Sequence, residues 1–280
     1  MFYLLTQIIQ MKILYNNNDL NEALNNVSKI GFVPTMGSLH KGHVSLIKKA
    51  KRESGKIIVS IFVNPTQFNN KEDFIKYPRN NAKDLSLLEK FKVNYVYIPK
   101  KEQVFTSSKK LIKTLKTKDK ILCAKYRKGH FEGVLNVMDR LTDLIKPNKI
   151  FMGEKDFQQL FLVKKYIEKK YKCKIISCKT IRNKNKLALS SRNLRLSRKS
   201  LKKAEEISKD LIFFKNNLNR FKDVKEKIMI KKNQMSKLYN IKIEYLELRN
   251  KKDLKIINKI KNSKLFIAYY LDKIRLIDNF

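Results

Sequence analysis

The chain has 280 residues, enough for one large or two modest domains with a substantial hydrophobic core. Its hydrophobic content of 42% and aromatic content of 10% are typical of a folded globular protein and argue against a disordered chain. Lysine and arginine outnumber aspartate and glutamate by 64 to 25, but this excess is mostly lysine spread along the whole chain, so the formal charge of +39 does not indicate a nucleic-acid site.

The opening ten residues are apolar, but they are short and lack the charged start of a signal peptide. They are interpreted as an extension over 1–10, before a second start at Met11. No apolar run approaches about 18 residues, so we expect no membrane-spanning segment. Cys123, Cys173 and Cys178 show no metal-ligand spacing and no disulfide framework, which predicts buried thiols in a reducing cytoplasm.

Strand-like and helical patterns alternate through the first two-thirds of the chain. The strand-like runs are rich in β-branched residues and mostly continuously apolar, which is typical of parallel strands covered on both faces. They span 30–35, 56–64, 93–99, 149–153 and 173–181, and a further strand begins near Met11. This alternation predicts an α/β fold with a Rossmann-like, doubly wound parallel sheet, in which ligands bind beyond the carboxyl ends of the strands.

The pattern changes after about residue 182. Two amphipathic, charged helical stretches are followed by the alternating run IKIEYLELR and by KLFIAYYL and IRLID, which predict a hairpin. We therefore predict two domains. Residues 1–181 form the Rossmann-like nucleotide-binding unit, and residues 182–280 form a smaller α+β domain that acts as a lid.

The stretch VPTMGSLHKGH concentrates two of the three histidines and two of the seven glycines. A strand ends at Thr35, a turn follows, and a helix begins near Lys41, so His40 and His43 can face the same side. Unpaired N–H groups at a helix start attract anions, and Gly42 is expected to leave room for a phosphate. The alternative interpretation is a capped surface helix that carries two incidental histidines.

An H-x-G-H motif after a first strand resembles the nucleotidyltransferase superfamily. The wider blocks VPTMGSLHKGHVSLI, VSIFVNPTQF, EDFIKYPR, GHFEGV, GEKDFQQL, LALSSRN and RLIDN occur in this order from about residue 11 to the end, and all three histidines lie inside them. Together they closely resemble the pantoate–β-alanine ligase family. The resemblance implies a cytoplasmic homodimeric enzyme that uses ATP and Mg²⁺ to join pantoate and β-alanine through a pantoyl adenylate.

The resemblance also implies the nucleotide-binding residues. His40, His43 and Lys155 would be catalytic, with His43 the favoured proton donor. ATP would contact Met36, Gly37, Ser38, Leu39, His40, Lys41, Gly42, His43, Gly153, Glu154, Lys155, Asp156, Ile181, Leu189, Ser190, Ser191 and Arg192. Without the family, GEKD could be an ordinary charged helical turn and LSSRN a helix entry.

Two glutamines are assigned to pantoate by the same resemblance, Gln67 and Gln159, whereas Gln158 is expected to be a bystander. Without the family, Gln67 could be part of a strand cap. Asp84 matches a family carboxylate near the magnesium, with a solvated helix face as the alternative. The chain departs from the family at Cys123, usually glutamate, at Lys128, usually proline, and at Lys186, usually glycine.

Two other functions are weighed against this one. Another H-x-G-H nucleotidyltransferase, which adenylylates a coenzyme precursor, would share the histidine motif but would not explain VNPTQF and GEKDFQQL together. A basic nucleic-acid-binding module would need arginines and aromatics grouped on one face, and the sequence reveals no such group.

Overall fold

The structure is a computed structural model that describes residues 10–105 and 114–280. Six strands form the main sheet: β1 (Lys12–Leu14), β2 (Ile30–Thr35), β3 (Lys56–Ile61), β4 (Tyr95–Tyr97), β5 (Lys149–Gly153) and β6 (Lys174–Cys178). The predicted strands 30–35 and 149–153 coincide with β2 and β5, and the other predicted runs contain shorter strands. Of the extension predicted over 1–10, only residue 10 lies within the described residues.

Helices lie between these strands and after β6. They are α1 (Asn17–Leu24), α2 (Lys41–Glu53), α3 (Lys71–Ile75), α4 (Asn81–Lys90), α5 (Lys101–Val104), α6 (Cys123–Tyr126), α7 (His130–Ile145), α8 (Phe157–Val163), α9 (Lys169–Tyr171), α10 (Arg198–Asn217) and α11 (Val224–Leu238). Short 3₁₀ segments occur at Pro65–Gln67, Thr117–Asp119, Glu154–Asp156, Ser191–Arg195 and Leu218–Arg220, and a π-helical turn at Lys164–Glu168. Among the described helices, none is both long and apolar enough to cross a bilayer.

The strand order in the main sheet is β1–β4–β3–β2–β5–β6, and all neighbours are parallel. From β2 the chain runs to one side through β3 and β4, and later continues on the other side through β5 and β6. The carboxyl ends of β2 and β5 therefore lie side by side where the direction reverses, which is where open α/β sheets bind ligands. The predicted doubly wound parallel sheet is confirmed.

Successive residues of the central strands are buried on opposite faces of the sheet. Phe32 and Ile150 belong to the hydrophobic core that includes residues of α1 and α7. Their neighbours Val33 and Phe151 pack with residues of α2 and α4 on the other face. Each such side chain contributes about 1.5–3 kcal/mol when fully buried. Hydrophobic packing on both faces of the sheet therefore fixes the positions of the strand ends.

The last hundred residues add the antiparallel sheet β7 (Lys242–Asn250), β8 (Ser263–Leu271) and β9 (Ile274–Asn279). The predicted hairpin is confirmed in β8 and β9. One face of this sheet packs against α10 and α11 through side chains such as Leu265 and Ile267. The other face joins the core of the main sheet through Phe266 and Ala268. The predicted boundary between 181 and 182 stays a prediction.

Candidate active site

A cleft of about 900 Å³ lies at the carboxyl ends of β2 and β5, with β9 on its other side. Most of the predicted site residues line it: Met36, His40, Gly42, His43, Gln67, Gly153, Lys155, Asp156, Gln159, Ile181, Leu189, Ser190, Ser191 and Arg192. Six predicted residues are not part of the lining: Gly37, Ser38, Leu39, Lys41, Asp84 and Glu154.

The turn between β2 and α2 is held by a buried carboxylate. Gly37 and Ser38 have positive φ values of 77° and 52°, the left-handed region that glycine adopts without a steric penalty. Asp84 receives both amides there: the Ser38 N–H donates to Oδ2 and the Leu39 N–H to Oδ1, each at 2.7 Å. The side chain of Asp84 is therefore a support for the turn, and it is 2% exposed rather than solvated on a helix face.

His40 and His43 are oriented by hydrogen bonds to the backbone. The N–H of Gly42 donates to Nδ1 of His40 at 3.1 Å, and the N–H of His40 donates to Nδ1 of His43 at 3.3 Å. Because each Nδ1 accepts, the proton of each neutral ring is on Nε2. The two ring centroids are 4.2 Å apart, and both rings line the cleft.

Burial and positive neighbours keep both imidazoles uncharged. Burial is the main cause that lowers the pKa of His40 to about 4, with a further contribution from Lys155. Burial, followed by His40 and Lys155, lowers the pKa of His43 to about 3. At neutral pH these rings donate hydrogen bonds through Nε2–H but carry no transferable imidazolium proton. The structure thus supports hydrogen-bond donation by His43, and its predicted role as proton donor stays a prediction.

One expectation about this turn is corrected. The N–H groups of Ser38, Leu39, His40 and Gly42 are not unpaired, because Asp84 and the imidazoles already accept them. Gly42 makes room for the His40 ring, since a Cβ added there would lie 2.7 Å from Cε1 of His40. Gly42 also lines the cleft, and the room that it is expected to leave for a phosphate stays a prediction.

The segment after β5 is fixed by the end of the chain. Asn279 donates from Nδ2 to the backbone carbonyls of Glu154 and Lys155, both at 2.8 Å. Lys155 faces the cleft with Nζ 3.5 Å from Oδ1 of Asp156. Glu154 instead accepts a hydrogen bond from Ser177 and pairs with Lys264 at 3.4 Å, which explains why it does not line the cleft.

The segment Ser190–Arg195 contacts both neighbouring parts of the site. Ser190 caps the 3₁₀ turn by accepting from the N–H of Arg192 at 3.3 Å. Ser191 donates from its hydroxyl to the carbonyl of Ser38 at 3.1 Å, so it ties this segment to the histidine turn. Arg192 and Arg195 both pair with Asp73 of α3.

A polar group at the other end of the cleft surrounds Gln67. Its Nε2 donates to Sδ of Met36 at 2.6 Å, and Nδ2 of Asn64 lies 3.3 Å from its Oε1. Nδ1 of His130 donates to the Gln67 carbonyl at 2.6 Å, and Arg127 lies 2.9 Å from the other ring nitrogen. Burial, followed by Arg127, holds the pKa of His130 well below its ordinary value.

Gly133 of α7 allows the turn before Gln67 to approach, because a Cβ there would lie 2.4 Å from the Thr66 carbonyl oxygen. Gln159 lines the cleft, and its contact with pantoate stays a prediction. Gln158 is buried and donates to the Ile121 carbonyl at 2.7 Å, so it supports the chain just before α6.

Cys123, a departure from the family pattern, lines the cleft among charged groups. Its Sγ is 3.0 Å from the Tyr245 hydroxyl, and Nη2 of Arg275 donates to it at 3.3 Å. Arg275 also pairs with Glu244 at 2.7 Å. Glu244 of β7 is thus the acidic partner of Arg275. All three cysteines are buried and form no disulfide.

Among the described residues, the cleft contains no cluster of side chains suited to hold magnesium on its own. Within 10–105 and 114–280, no group of three or more acidic, histidine or cysteine side chains could hold a metal ion. Both oxygens of Asp84, the predicted ligand, are engaged by backbone amides and face the turn. The described residues therefore do not fit a protein-bound magnesium, and any such ion would depend mainly on phosphate oxygens and water.

Several residues of the site were not assigned from the sequence. Asn64, His130 and Arg127 surround Gln67, Asp73 and Arg195 flank Arg192, and Asn279 supports Lys155. Asn64, Asp73, His130 and Asn279 lie inside the blocks that carry the family resemblance, which was the available signal.

Fold and cleft together define an open α/β protein with a ligand site at the reversal point of its parallel sheet. The family model of pantoate-beta-alanine ligase matches residues 8–280. The chain therefore belongs to the pantoate–beta-alanine ligase family.

Individual relatives are similar in sequence to this chain along nearly their whole length. The chain is 42% identical over 254 residues to a pantothenate synthetase of Clostridium botulinum, covering 90% of each chain. It is 37% identical over 260 residues to that of Fervidobacterium nodosum, covering 92% of this chain and 93% of the relative.

Solved structures give the same result for the fold. A crystal structure of pantothenate synthetase from Thermus thermophilus has a TM-score of 0.90 at 30% identity, covering 96% of this chain and 99% of that one. A Francisella tularensis pantoate-beta-alanine ligase, complexed with beta-gamma ATP and beta-alanine, has a TM-score of 0.81 at 37% identity, covering 97% of each.

Proposed function

We propose that this protein condenses (R)-pantoate with β-alanine to pantothenate at the expense of ATP, through a pantoyl adenylate, and releases AMP and pyrophosphate. The observation that carries the proposal is that one cleft combines two sets of groups. His40, His43 and Lys155 supply donors for phosphate, and Gln67 supplies a buried amide for a small polar acid.

In the first step, a carboxylate oxygen of pantoate attacks the α-phosphorus of ATP and pyrophosphate leaves. Negative charge then builds on the phosphate oxygens, so fixed donors aimed at them contribute most to catalysis. We assign this task to the Nε2–H groups of His40 and His43 and to Nζ of Lys155. Ser190, Ser191 and Arg192 would hold the outer phosphates, and Ile181 and Leu189 would lie against the adenine.

In the second step, the amine of β-alanine attacks the acyl carbon of the adenylate, AMP leaves with the bonding electron pair, and the nitrogen releases one proton to solvent. Gln67 and Gln159 hold the pantoyl group through both steps. An amide can accept from the pantoate hydroxyls and donate to its carboxylate with one side chain. The hydrogen bond from His130 to the Gln67 carbonyl fixes the backbone that carries this amide.

Three parts of the proposal rest on the family alone. They are the use of Mg²⁺ with ATP, the homodimer and the cytoplasmic location. Because Asp84 is engaged by the turn, no step is assigned to the ion.

The experiment that tests the proposal is exchange of labelled pyrophosphate into ATP, measured with and without pantoate. We expect exchange only when pantoate is present, and pantothenate only when β-alanine is added. Phosphorylated coenzyme precursors serve as control acceptors for the other H-x-G-H chemistry. Exchange that depends on such an acceptor and ignores pantoate would overturn the proposal.

A further inference from the structure

One carboxylate lies between two arginines at the edge of the cleft. Oδ2 of Asp73 accepts from Nη2 of Arg192 at 2.7 Å, and Oδ1 accepts from Nη1 of Arg195 at 2.5 Å. Asp73 belongs to α3, whereas the arginines belong to the Ser191–Arg195 turn, and all three line the cleft. This group, Asp73, Arg192 and Arg195, is called the arginine clamp below.

The clamp leaves a positive charge and most of its donors available to a ligand. Each guanidinium has five N–H donors, and the two bonds to Asp73 use one from each arginine. Two positive groups share a single negative one, so the clamp keeps a net charge of about +1. A triphosphate can therefore bind both arginines while Asp73 remains in place.

Asp73 is also what allows the two arginines to lie side by side. Two guanidinium groups that share no anion repel each other, and each long side chain gains rotamer freedom by moving into solvent. The side chains of Arg192 and Arg195 are 22% and 19% exposed, so such movement is open to them. The Arg192 guanidinium also lies 5.7 Å from the centre of the Tyr77 ring, which restrains only one of the pair.

Asp73 carries its charge at neutral pH. Burial alone would raise the pKa of its carboxyl, but hydrogen bonds and charge from Arg192 and Arg195 outweigh burial and lower it. The clamp is thus an ion pair under the conditions in which the enzyme works.

We infer that Asp73 is a positioning residue for nucleotide: it holds Arg192 and Arg195 together so that both can bind the outer phosphates of ATP. The inference rests on the proposed function, since that function assigns ATP to this cleft. Both oxygens of Asp73 are paired with the arginines, so we expect its effect on ATP affinity and not on the bond-making steps.

The test compares Asp73→Asn with Glu89→Gln. Asparagine keeps the size of the side chain and removes its charge. Glu89 is an exposed acid of α4 that does not line the cleft, so it provides a control for the loss of one negative charge. We expect Asp73→Asn to raise KM for ATP about tenfold, the scale of one charge-assisted hydrogen bond. KM for pantoate and kcat should stay near those of the parent chain, and Glu89→Gln should change none of them.

A second variant and a binding measurement keep the test decisive. Arg195→Gln removes one of the two arginines that Asp73 holds, and we expect it also to raise KM for ATP. Part of the effect of Asp73→Asn acts through Arg195, so the double variant should be less impaired than the product of the two single effects. Titration calorimetry with a non-hydrolysable ATP analogue reports affinity without turnover. Tighter or equal binding by Asp73→Asn would overturn the inference, as would additive effects in the double variant. Absence of pantoate-dependent exchange in the parent chain would instead overturn the proposed function, while the calorimetry would still judge Asp73.

Discussion

The two sides of the cleft are organised by different means. On one side, residues 36–43, the histidine turn, rest on a buried carboxylate and on imidazoles that bond the backbone. On the other side, residues 190–195, the arginine segment, remain charged and partly exposed, and Arg192 and Arg195 are held by a side-chain ion pair. We infer that the first side is rigid where the α-phosphate would react and the second can adjust to the outer phosphates.

The largest expected effect comes from breaking the rigid side. We expect His43→Ala to lower pantoate-dependent pyrophosphate exchange by about 10²–10³, the usual cost of one lost transition-state donor. The fold should persist, which circular dichroism would check.

Two further variants of His43 separate its hydrogen-bond donation into the cleft from its acceptance of the His40 N–H. In His43→Asn the amide oxygen can still accept from the His40 N–H but does not reach into the cleft, so exchange should stay low. In His43→Gln the amide can reach farther, and part of the activity should return. If both variants were as active as the parent chain, His43 would have no role in the reaction.

A smaller loss is expected when the support beneath the turn is changed. Asp84→Asn replaces one acceptor by an N–H₂ group that faces a backbone N–H. We expect the free energy of unfolding to fall by about 1–3 kcal/mol, and exchange to fall by about tenfold to a hundredfold because the imidazoles shift. Denaturant titration measures the first effect. Glu89→Gln, an exposed change on the same helix, is the control and should alter neither quantity.

The pH dependence of exchange tests the protonation state assigned to His40 and His43. Because the pKa values of His40 and His43 are about 4 and about 3, both rings stay uncharged near neutrality. We therefore expect no loss of exchange from histidine protonation between about pH 8 and about pH 5. A decline with a midpoint near the ordinary histidine value of 6.5 would contradict this interpretation.

Stability should respond to the same titration in a defined direction. In the unfolded chain both histidines become protonated as the pH falls through 6.5. In the folded chain protonation is delayed, because the pKa is about 4 for His40 and about 3 for His43. The unfolded state binds more protons in that window, so the free energy of unfolding falls as the pH is lowered through it. The slope should be shallower in His43→Asn.

The smallest effect concerns the loop that leads into the arginine segment. Lys186 has a φ of 72°, where a side chain is strained, and its carbonyl accepts from Arg182 at 2.9 Å. Lys186→Gly should remove a strain of about 1–2 kcal/mol, offset by about 0.4–1 kcal/mol of unfolded-state entropy. We expect slightly higher stability in thermal unfolding. Lys184→Gly, in the same loop without a positive φ, should instead destabilise.

The sequence alone predicted the sheet well because its strands are covered on both faces. Continuous apolar runs such as 30–35 leave little choice between strand and loop, and β2 has those bounds. The end of the run 93–99 was less clear, and β4 covers only Tyr95–Tyr97. Runs of apolar residues identify strands more reliably than they locate their ends.

The site was predictable where its residues are close in sequence and hidden where they are not. His40, Gly42 and His43 lie within one turn, yet the neighbour that needs the space at Gly42 could not be told from spacing. Asp73 and Arg192 are 119 positions apart, and His130 and Gln67 are 63 apart. Such pairings arise from the topology of the sheet, so no local sequence pattern predicts them.

The most direct test of the central claim, that pantoate attacks the α-phosphorus of ATP in this cleft, is isotope transfer. Pantoate labelled with ¹⁸O in its carboxylate would be turned over with ATP and β-alanine, and the products analysed by mass spectrometry. The proposed mechanism predicts one labelled oxygen in AMP, because the bridging carboxylate oxygen leaves with the phosphate. Label in orthophosphate together with ADP would place the attack at the γ-phosphorus and contradict it.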